Sequence, residues 1–375
     1  MKSKRLYYVD WLRVLVILSL IPFHAAFTFL KLGNVYIKAP MSSLEAIPFV
    51  VITTCLEDFF MTLLFFVSGI ATYYSFQSRQ ANQYIKERIH KLLLPFLFGT
   101  ILLCPLQAYL KAIYEGFHGN YLQFIPEFFS AKIVYYLGYA HLWFLLYLFI
   151  FSLLCVPLFK KWQSTNRIQR IVDFLVKGNH ILLPIAVIVL LELFLRPFFH
   201  TSQTLIMDWA NDTVYLSMFV FGYIFAADQR ILVKLREYFK LSVILVVLSL
   251  VLLFFLNYQW EIAGSSAVYL TVMWAAIKGI YECSAIVFLI CICSKYLNNE
   301  SKQIKYLSKA SFPIYIFHFL PLTFFILIFI KMNLNIYLKY LLIISLSYLA
   351  VFLIYEVISK LKVLKQKIFP RSANS

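Results

Sequence analysis

The sequence predicts an all-α integral membrane protein, a single bundle of about ten transmembrane helices with both termini in the cytoplasm. Three observations carry this. The 375 residues are 62% hydrophobic with a mean hydropathy of +0.81, more apolar surface than a soluble core needs. Apolar runs of about 20 residues, the length that crosses a hydrocarbon layer, recur along the chain. Finally, Lys and Arg alternate between loops: 25 of the 34 fall on the side of the N-terminus and seven on the other, with Arg13 and Lys278 inside spans. That asymmetry orients an even number of spans. It also accounts for the net charge of +17 without a nucleic-acid partner; the bilayer is the expected partner.

The spans read at roughly 9–32, 47–75, 91–112, 141–159, 180–199, 213–228, 240–257, 267–293, 310–331 and 336–358. The first is too long for a signal peptide, carries Asp10 and Arg13, and shows no small-residue cleavage site, so it is expected to remain. It also holds His24. Eleven steps of about 100° put Arg13 and His24 on one helix face, about 16 Å apart along the axis. Asp10 lies one turn before Arg13 and is expected to pair with it. A cation and an imidazole in such an apolar stretch are costly and suggest function.

Span two carries Glu57 and Asp58. At 1.5 Å per residue, Asp58 and His24 reach similar depths, so one of the two acids is expected to orient or charge-stabilise the imidazole. The external segment 113–140 is rich in aromatics: Tyr114, Phe117, Tyr121, Phe124, Phe128, Phe129, Tyr135, Tyr136 and Tyr139. An aromatic belt at the headgroups is the favoured reading, an interfacial helix or substrate cap the alternative. The loop 160–179 is basic and compatible with helix. Glu192 and Arg196 in span five, and Lys278 and Glu282 in span eight, are each spaced i, i+4 and can neutralise one another. Span nine carries His318, and Glu356 in span ten is placed at the headgroups. Residues 1–360 read as one membrane domain and 361–375 as a basic, frayed tail. The six cysteines read as small apolar packing residues, and no metal site is expected.

Several stretches resemble the membrane acyltransferase-3 family. They are Tyr8-Val-Asp-Trp-Leu-Arg13 followed after ten residues by His24; Phe65-Phe-Val-Ser-Gly69; Lys86-Glu-Arg88-Ile-His-Lys-Leu-Leu-Leu-Pro95; His141-Leu-Trp143-Phe-Leu-Leu-Tyr147; and Ser311-Phe-Pro-Ile-Tyr-Ile-Phe-His318. The opening motif and the His-Leu-Trp-Phe stretch lean toward the branch that includes the glucan-modifying succinyltransferase. The resemblance implies transfer of an acyl group, acetyl or succinyl, from acyl-coenzyme A to a hydroxyl of an envelope carbohydrate or lipid-linked glycan. It implies Arg13 and His24 as a matched functional pair and Arg88 as a matched basic residue. Some longer members carry a hydrolase-like domain not seen here, so transfer is expected to finish on this chain or with a partner.

On this reading His24 is general base or acyl acceptor, with Arg13, Asp58 and Glu57 beside it. Asp10, Lys278, Glu282 and His318 support, Arg88 and Lys91 hold acyl-coenzyme A, and His141 and Trp143 face the acceptor. Acyl-coenzyme A is a co-substrate; no permanently bound cofactor is expected. The expected location is a bacterial inner membrane. The competing class is a secondary transporter or flippase, which also uses intramembrane charges.

Overall fold

In the computed structural model, the described residues are 5–31, 37–39, 41–130, 138–199, 201–202, 205, 207–263 and 268–368. Lys2, Lys4, Lys132, Tyr135, Tyr136 and Arg371, used in the charge and aromatic arguments above, lie outside them. Every regular element among the described residues is helical. We number the helices α1 (Tyr7–Phe27), α2 (Ser43–Gln77), α3 (Ala81–Tyr114), α4 (Tyr121–Phe128), α5 (Trp143–Leu154), α6 (Val156–Ser164), α7 (Arg167–Val176) and α8 (Leu183–Leu195). There follow α9 (Trp209–Phe225), α10 (Gln229–Glu237), α11 (Phe239–Ala263), α12 (Val268–Tyr296), α13 (Lys302–Phe317), α14 (Phe319–Ile330) and α15 (Ile336–Ile368).

Six of these are long and apolar enough to cross a membrane, and up to ten spans result if each of four bent helix pairs is one span. The pairs are α5–α6, α7–α8, α9–α10 and α13–α14, bent by 42°, 108°, 110° and 59°. Hydropathy locates such spans but is blind to the bend within them. Other boundaries also differ from expectation. The basic stretch before span three is part of α3, which passes through two π-helical turns, Ile89–Leu93 and Gly99–Leu103. The terminal helix α15 runs to Ile368, beyond the point where the tail was expected to fray, because the segment after Lys360 has good helix formers and no Gly or Pro before Pro370.

The contacts group into two compact units built from interleaved segments. One comprises Met1–Val16, Thr54–Leu97 and Leu142–Ser301; the other comprises Ile17–Thr53, Phe98–His141 and Lys302–Ser375.

In the first unit α12 is the central element, packed on α8 and α11. Leu253, Tyr281 and Ala285 form a core with Phe59, Val246, Leu250, Trp274 and Ile277 around it. Helices α2 and α9 cross at a reciprocal glycine contact. A Cβ on Gly69 would meet Phe219 O at 2.0 Å, and one on Gly222 would meet Phe66 O at 1.9 Å. Such backbone-to-backbone approach is how membrane helices gain dispersion contacts without a hydrophobic drive. The outer face of α11, including Ile244, Val247, Leu248 and Val251, is exposed, as a lipid-facing surface is.

In the second unit α14 packs on α15 and on the last third of α3, Cys104–Tyr114. Two of the aromatics read as a headgroup belt, Phe124 and Phe128, pack inward instead. A capping box between Asn120 and Gln123 starts α4, and Phe124 and Phe128 are fully buried. Phe124 packs on Tyr109, Phe117 and Phe128 at ring separations of 5.6, 5.7 and 6.3 Å. Leu122, Pro126 and Phe129 of this helix and its cap remain exposed.

Candidate functional site

Helix α1 carries Pro22 in its interior. Proline has no N–H, so the carbonyl of Leu18 loses its helical donor. The Tyr348 hydroxyl donates to Leu18 O at 2.5 Å instead, and the Tyr340 hydroxyl donates to Pro22 O at 2.9 Å. These two bonds hold the last turns of α1, and with them His24, against α15.

His24 is one of three imidazoles gathered in the second unit. Its ring stacks on His318 at 5.6 Å, and His318 meets His141 edge-on at 4.7 Å. Phe319 packs against both outer rings, 4.9 Å from His24 and 5.3 Å from His141. His318 and His141 are buried, while His24 keeps partial exposure.

The helix break between α13 and α14 falls at His318, where the Nδ1–H donates to Tyr315 O at 2.7 Å. His141 Nε2–H donates to Ile316 O at 3.0 Å, and the Tyr315 hydroxyl donates to His141 O at 2.5 Å. Ala140, just before His141, sits in the left-handed backbone region at φ 44°, an uncommon conformation for an alanine. A carbonyl only accepts, so each of these two bonds assigns a proton to one ring nitrogen. In the neutral ring the other nitrogen is then a bare acceptor. Those nitrogens, His318 Nε2 and His141 Nδ1, are buried without a hydrogen-bond partner, as is His24 Nδ1. Three unpartnered imidazole nitrogens in one buried cluster can take a proton or coordinate a reacting group. Gln107 on α3 belongs to the same unit, is fully buried, and has neither amide atom partnered.

The first unit holds a different constellation. Arg196 grips Glu192 with two bonds of 2.8 and 2.9 Å. Lys278 Nζ lies 2.5 Å from the same Glu192 and 2.6 Å from Glu282. Arg196 also donates to Asn211 Oδ1 at 2.6 Å, and Asn211 donates to Asp208 at 3.1 Å. All six are buried. The two i, i+4 pairs read from sequence are thus one network, joined by the packing of α8 on α12. Asp58 lies in the field of Lys278, Glu192, Arg196 and Glu57. Glu57 itself points outward and is exposed in the structure.

At the start of α1, Asp10 bridges Arg5 and Arg13 at 2.7 and 3.0 Å. Arg79 pairs with Glu87, which also holds Lys91 at 2.9 Å. Arg79 and Arg88 both donate to Ser75 Oγ, at 2.9 and 3.5 Å, and Arg88 lies over the Tyr84 ring at 4.5 Å. Two guanidinium groups on one hydroxyl make a compact positive site suited to phosphate. Trp143 stacks on Tyr215 at 5.8 Å and meets Tyr147 at 5.0 Å.

The expected site residues are divided between the two units. His24, His141 and His318 come together in one unit. Arg13, Asp10, Glu57, Asp58, Arg88, Lys91, Trp143, Lys278 and Glu282 belong to the other. Among the described residues, the aromatic rings against His24 are Phe23, His318 and Phe319; Asp58 lies among the charges around Lys278. Sequence reasoning left Gln107 and Arg79 out of the site. A polar amide within the apolar run of span three was the available signal for Gln107.

A family model described as an acyltransferase domain, acyltransferase-3, matches residues 6–356. Neither the curated proteins nor the solved structures give a match.

Proposed function

Because the chain belongs to the membrane acyltransferase-3 family, we propose that it is an O-acyltransferase. It moves an acetyl or succinyl group from acyl-coenzyme A to a hydroxyl of an envelope carbohydrate or lipid-linked glycan, in a bacterial inner membrane. The succinyl branch is the narrower form of the same proposal. The observation that carries it is the cluster of His24, His141 and His318, each with a buried ring nitrogen that has no hydrogen-bond partner among the described residues.

The acceptor oxygen bonds to the thioester carbonyl carbon while its proton passes to His24. The tetrahedral intermediate then collapses, the C–S bond breaks, and the imidazolium returns that proton to the departing coenzyme A sulfur. His318 and His141, each fixed in one tautomer by a backbone carbonyl, wall the His24 side of the site, with His318 stacked on the His24 ring. The Gln107 amide is a candidate donor to the developing oxyanion. In the first unit, Arg88 and Lys91, with Arg79, take the phosphates of coenzyme A. Asp10 sets the fork of Arg13. Asp58, Glu57, Lys278 and Glu282 support, and His141 and Trp143 face the acceptor.

Transfer of isotope from labelled acetyl- or succinyl-coenzyme A to envelope glycan by the purified protein tests the reading. No transfer to any glycan fraction from either donor overturns it. The buried Glu192–Arg196–Lys278–Glu282 network favours the second reading, a transporter or flippase. Substrate uptake into proteoliposomes without acyl transfer would support that one.

A further inference from the structure

The first unit contains a narrow, partly open apolar cavity of about 80 Å³, room for part of a chain rather than for a bulky ligand. It belongs to none of the chemistry above. Its walls include Leu175 of α7, Ile185 of α8, Met218 of α9, Leu235 of α10, and Ile286 and Ile290 of α12. A lining of this kind offers water no polar partners. In a membrane the group that matches it is hydrocarbon.

Two helices bent sharply from their neighbours contribute to its walls. Helix α7 is bent 108° from α8, and α10 is bent 110° from α9. Both are amphipathic. Val172, Leu175, Ile231 and Leu235 are buried, while Arg167, Arg170, Asp173 and Arg236 are exposed. Arg230 joins the two helices through Asp173 at 2.7 Å and also binds Asp228 at 2.9 Å. Asp228 lies in the break between α9 and α10, and the hydrogen bond from Arg230 holds its carboxyl below the usual carboxylate range. Helices of this character lie at the headgroup level.

The cations on α10 are not equivalent. Arg230 is paired with aspartates and Lys234 with Glu237. Arg236, next to the cavity residue Leu235, donates to the neutral Ser294 hydroxyl at 3.0 Å and has no carboxylate within ion-pair distance among the described residues. Ser294 lies one turn beyond the cavity residue Ile290 on α12. A guanidinium with no acidic partner among the described residues thus stands beside the lining of a hydrocarbon-walled cavity.

We propose that this cavity binds part of one hydrocarbon chain of an anionic membrane lipid, with its headgroup phosphate on Arg236. The proposal is independent of the acyl-transfer reading, and its test uses no activity.

The full-length protein, purified in mild detergent, is incubated with dioleoyl phosphatidylglycerol or dioleoyl phosphatidylcholine, and retained lipid is counted by native mass spectrometry. Wild type should retain one phosphatidylglycerol, preferred about fivefold over phosphatidylcholine, the scale of one surface cation on an anionic lipid. Ile286→Trp, which fills the cavity, should lose this lipid. Met218→Phe, a smaller intrusion, should weaken retention and serves if the first variant fails to fold. Arg236→Gln should keep a bound lipid but lose the preference. Leu248→Trp, on the exposed face of α11, should match wild type. Unchanged retention in both cavity variants would overturn the proposal. So would an unchanged preference in Arg236→Gln, or one-for-one displacement of the lipid by palmitoyl-coenzyme A, which would assign the cavity to a donor chain.

Discussion

The Tyr348 hydroxyl donates at 2.5 Å to Leu18 O, the carbonyl that Pro22 leaves without a helical donor. Tyr348→Phe should therefore leave a buried carbonyl unsatisfied, at a cost of about 1–3 kcal/mol. Pro22→Ala restores the helical N–H, so adding it to Tyr348→Phe should recover part of the loss. Thermal unfolding in detergent measures both. Equal melting of Tyr348→Phe and wild type would show that the bond does not hold α1.

His24→Ala should fold and lose transfer by about 10²–10⁴-fold, the usual scale for a general base. His318→Ala should also lose activity, since it removes the ring stacked on His24. Arg13→Lys should be poorly tolerated, because an ammonium does not reproduce a guanidinium fork. Label transfer is compared at equal membrane abundance. If His24→Ala stays within a few-fold of wild type, the mechanism fails and the transporter reading leads.

Glu192 neutralises both Arg196 and Lys278 in a buried setting. Glu192→Gln leaves two cations competing for Glu282 and polar neighbours, and should cost about 3–5 kcal/mol. Pairing it with Lys278→Met should cost less than the sum of the two single changes, since the second removes an uncompensated charge. Yield and melting of monodisperse protein report the outcome; additive losses would mean the charges do not act as one network.

Gly69→Ala places a methyl 2.0 Å from Phe219 O, so α2 and α9 must separate. The expected result is a sharp loss of folded protein, with Gly222→Ala similar because the contact is reciprocal. Normal yield and melting of Gly69→Ala would show that the two helices part cheaply.

Gln107 buries an amide with neither end partnered, a cost of about 1–3 kcal/mol. Gln107→Met, close in volume, should raise the melting temperature and lower turnover together. A lower melting temperature with unchanged turnover would make Gln107 a packing residue alone.

How much of this was legible in the sequence depended on distance along the chain. The spans were legible because hydropathy is a local property, and the Asp10–Arg13, Glu192–Arg196 and Lys278–Glu282 spacings were legible because a helix brings i, i+3 and i, i+4 together. The bends at His318 and between α9 and α10 were not, since the same apolar composition serves a straight or a broken span. Phe124 and Phe128 illustrate a second limit. An aromatic suits a headgroup belt and a packed interior equally well, and only the fold of α3 onto α4 decided for the interior.

By itself the sequence determined an all-helical chain rich in apolar spans, its family, and short-range pairs such as Asp10–Arg13. Tertiary structure alone decided which groups meet. Residues 24, 141 and 318 share no local pattern, and their rings lie together only because α1, the start of the α5 region and the α13–α14 break converge in one unit. Likewise, Glu192 serves both Arg196 and Lys278 because α8 packs on α12. Local sequence sets helix and hydropathy through short-range bonds and solvent preference; the pairing of distant polar groups is set by how those helices close-pack, which no single stretch of the chain encodes.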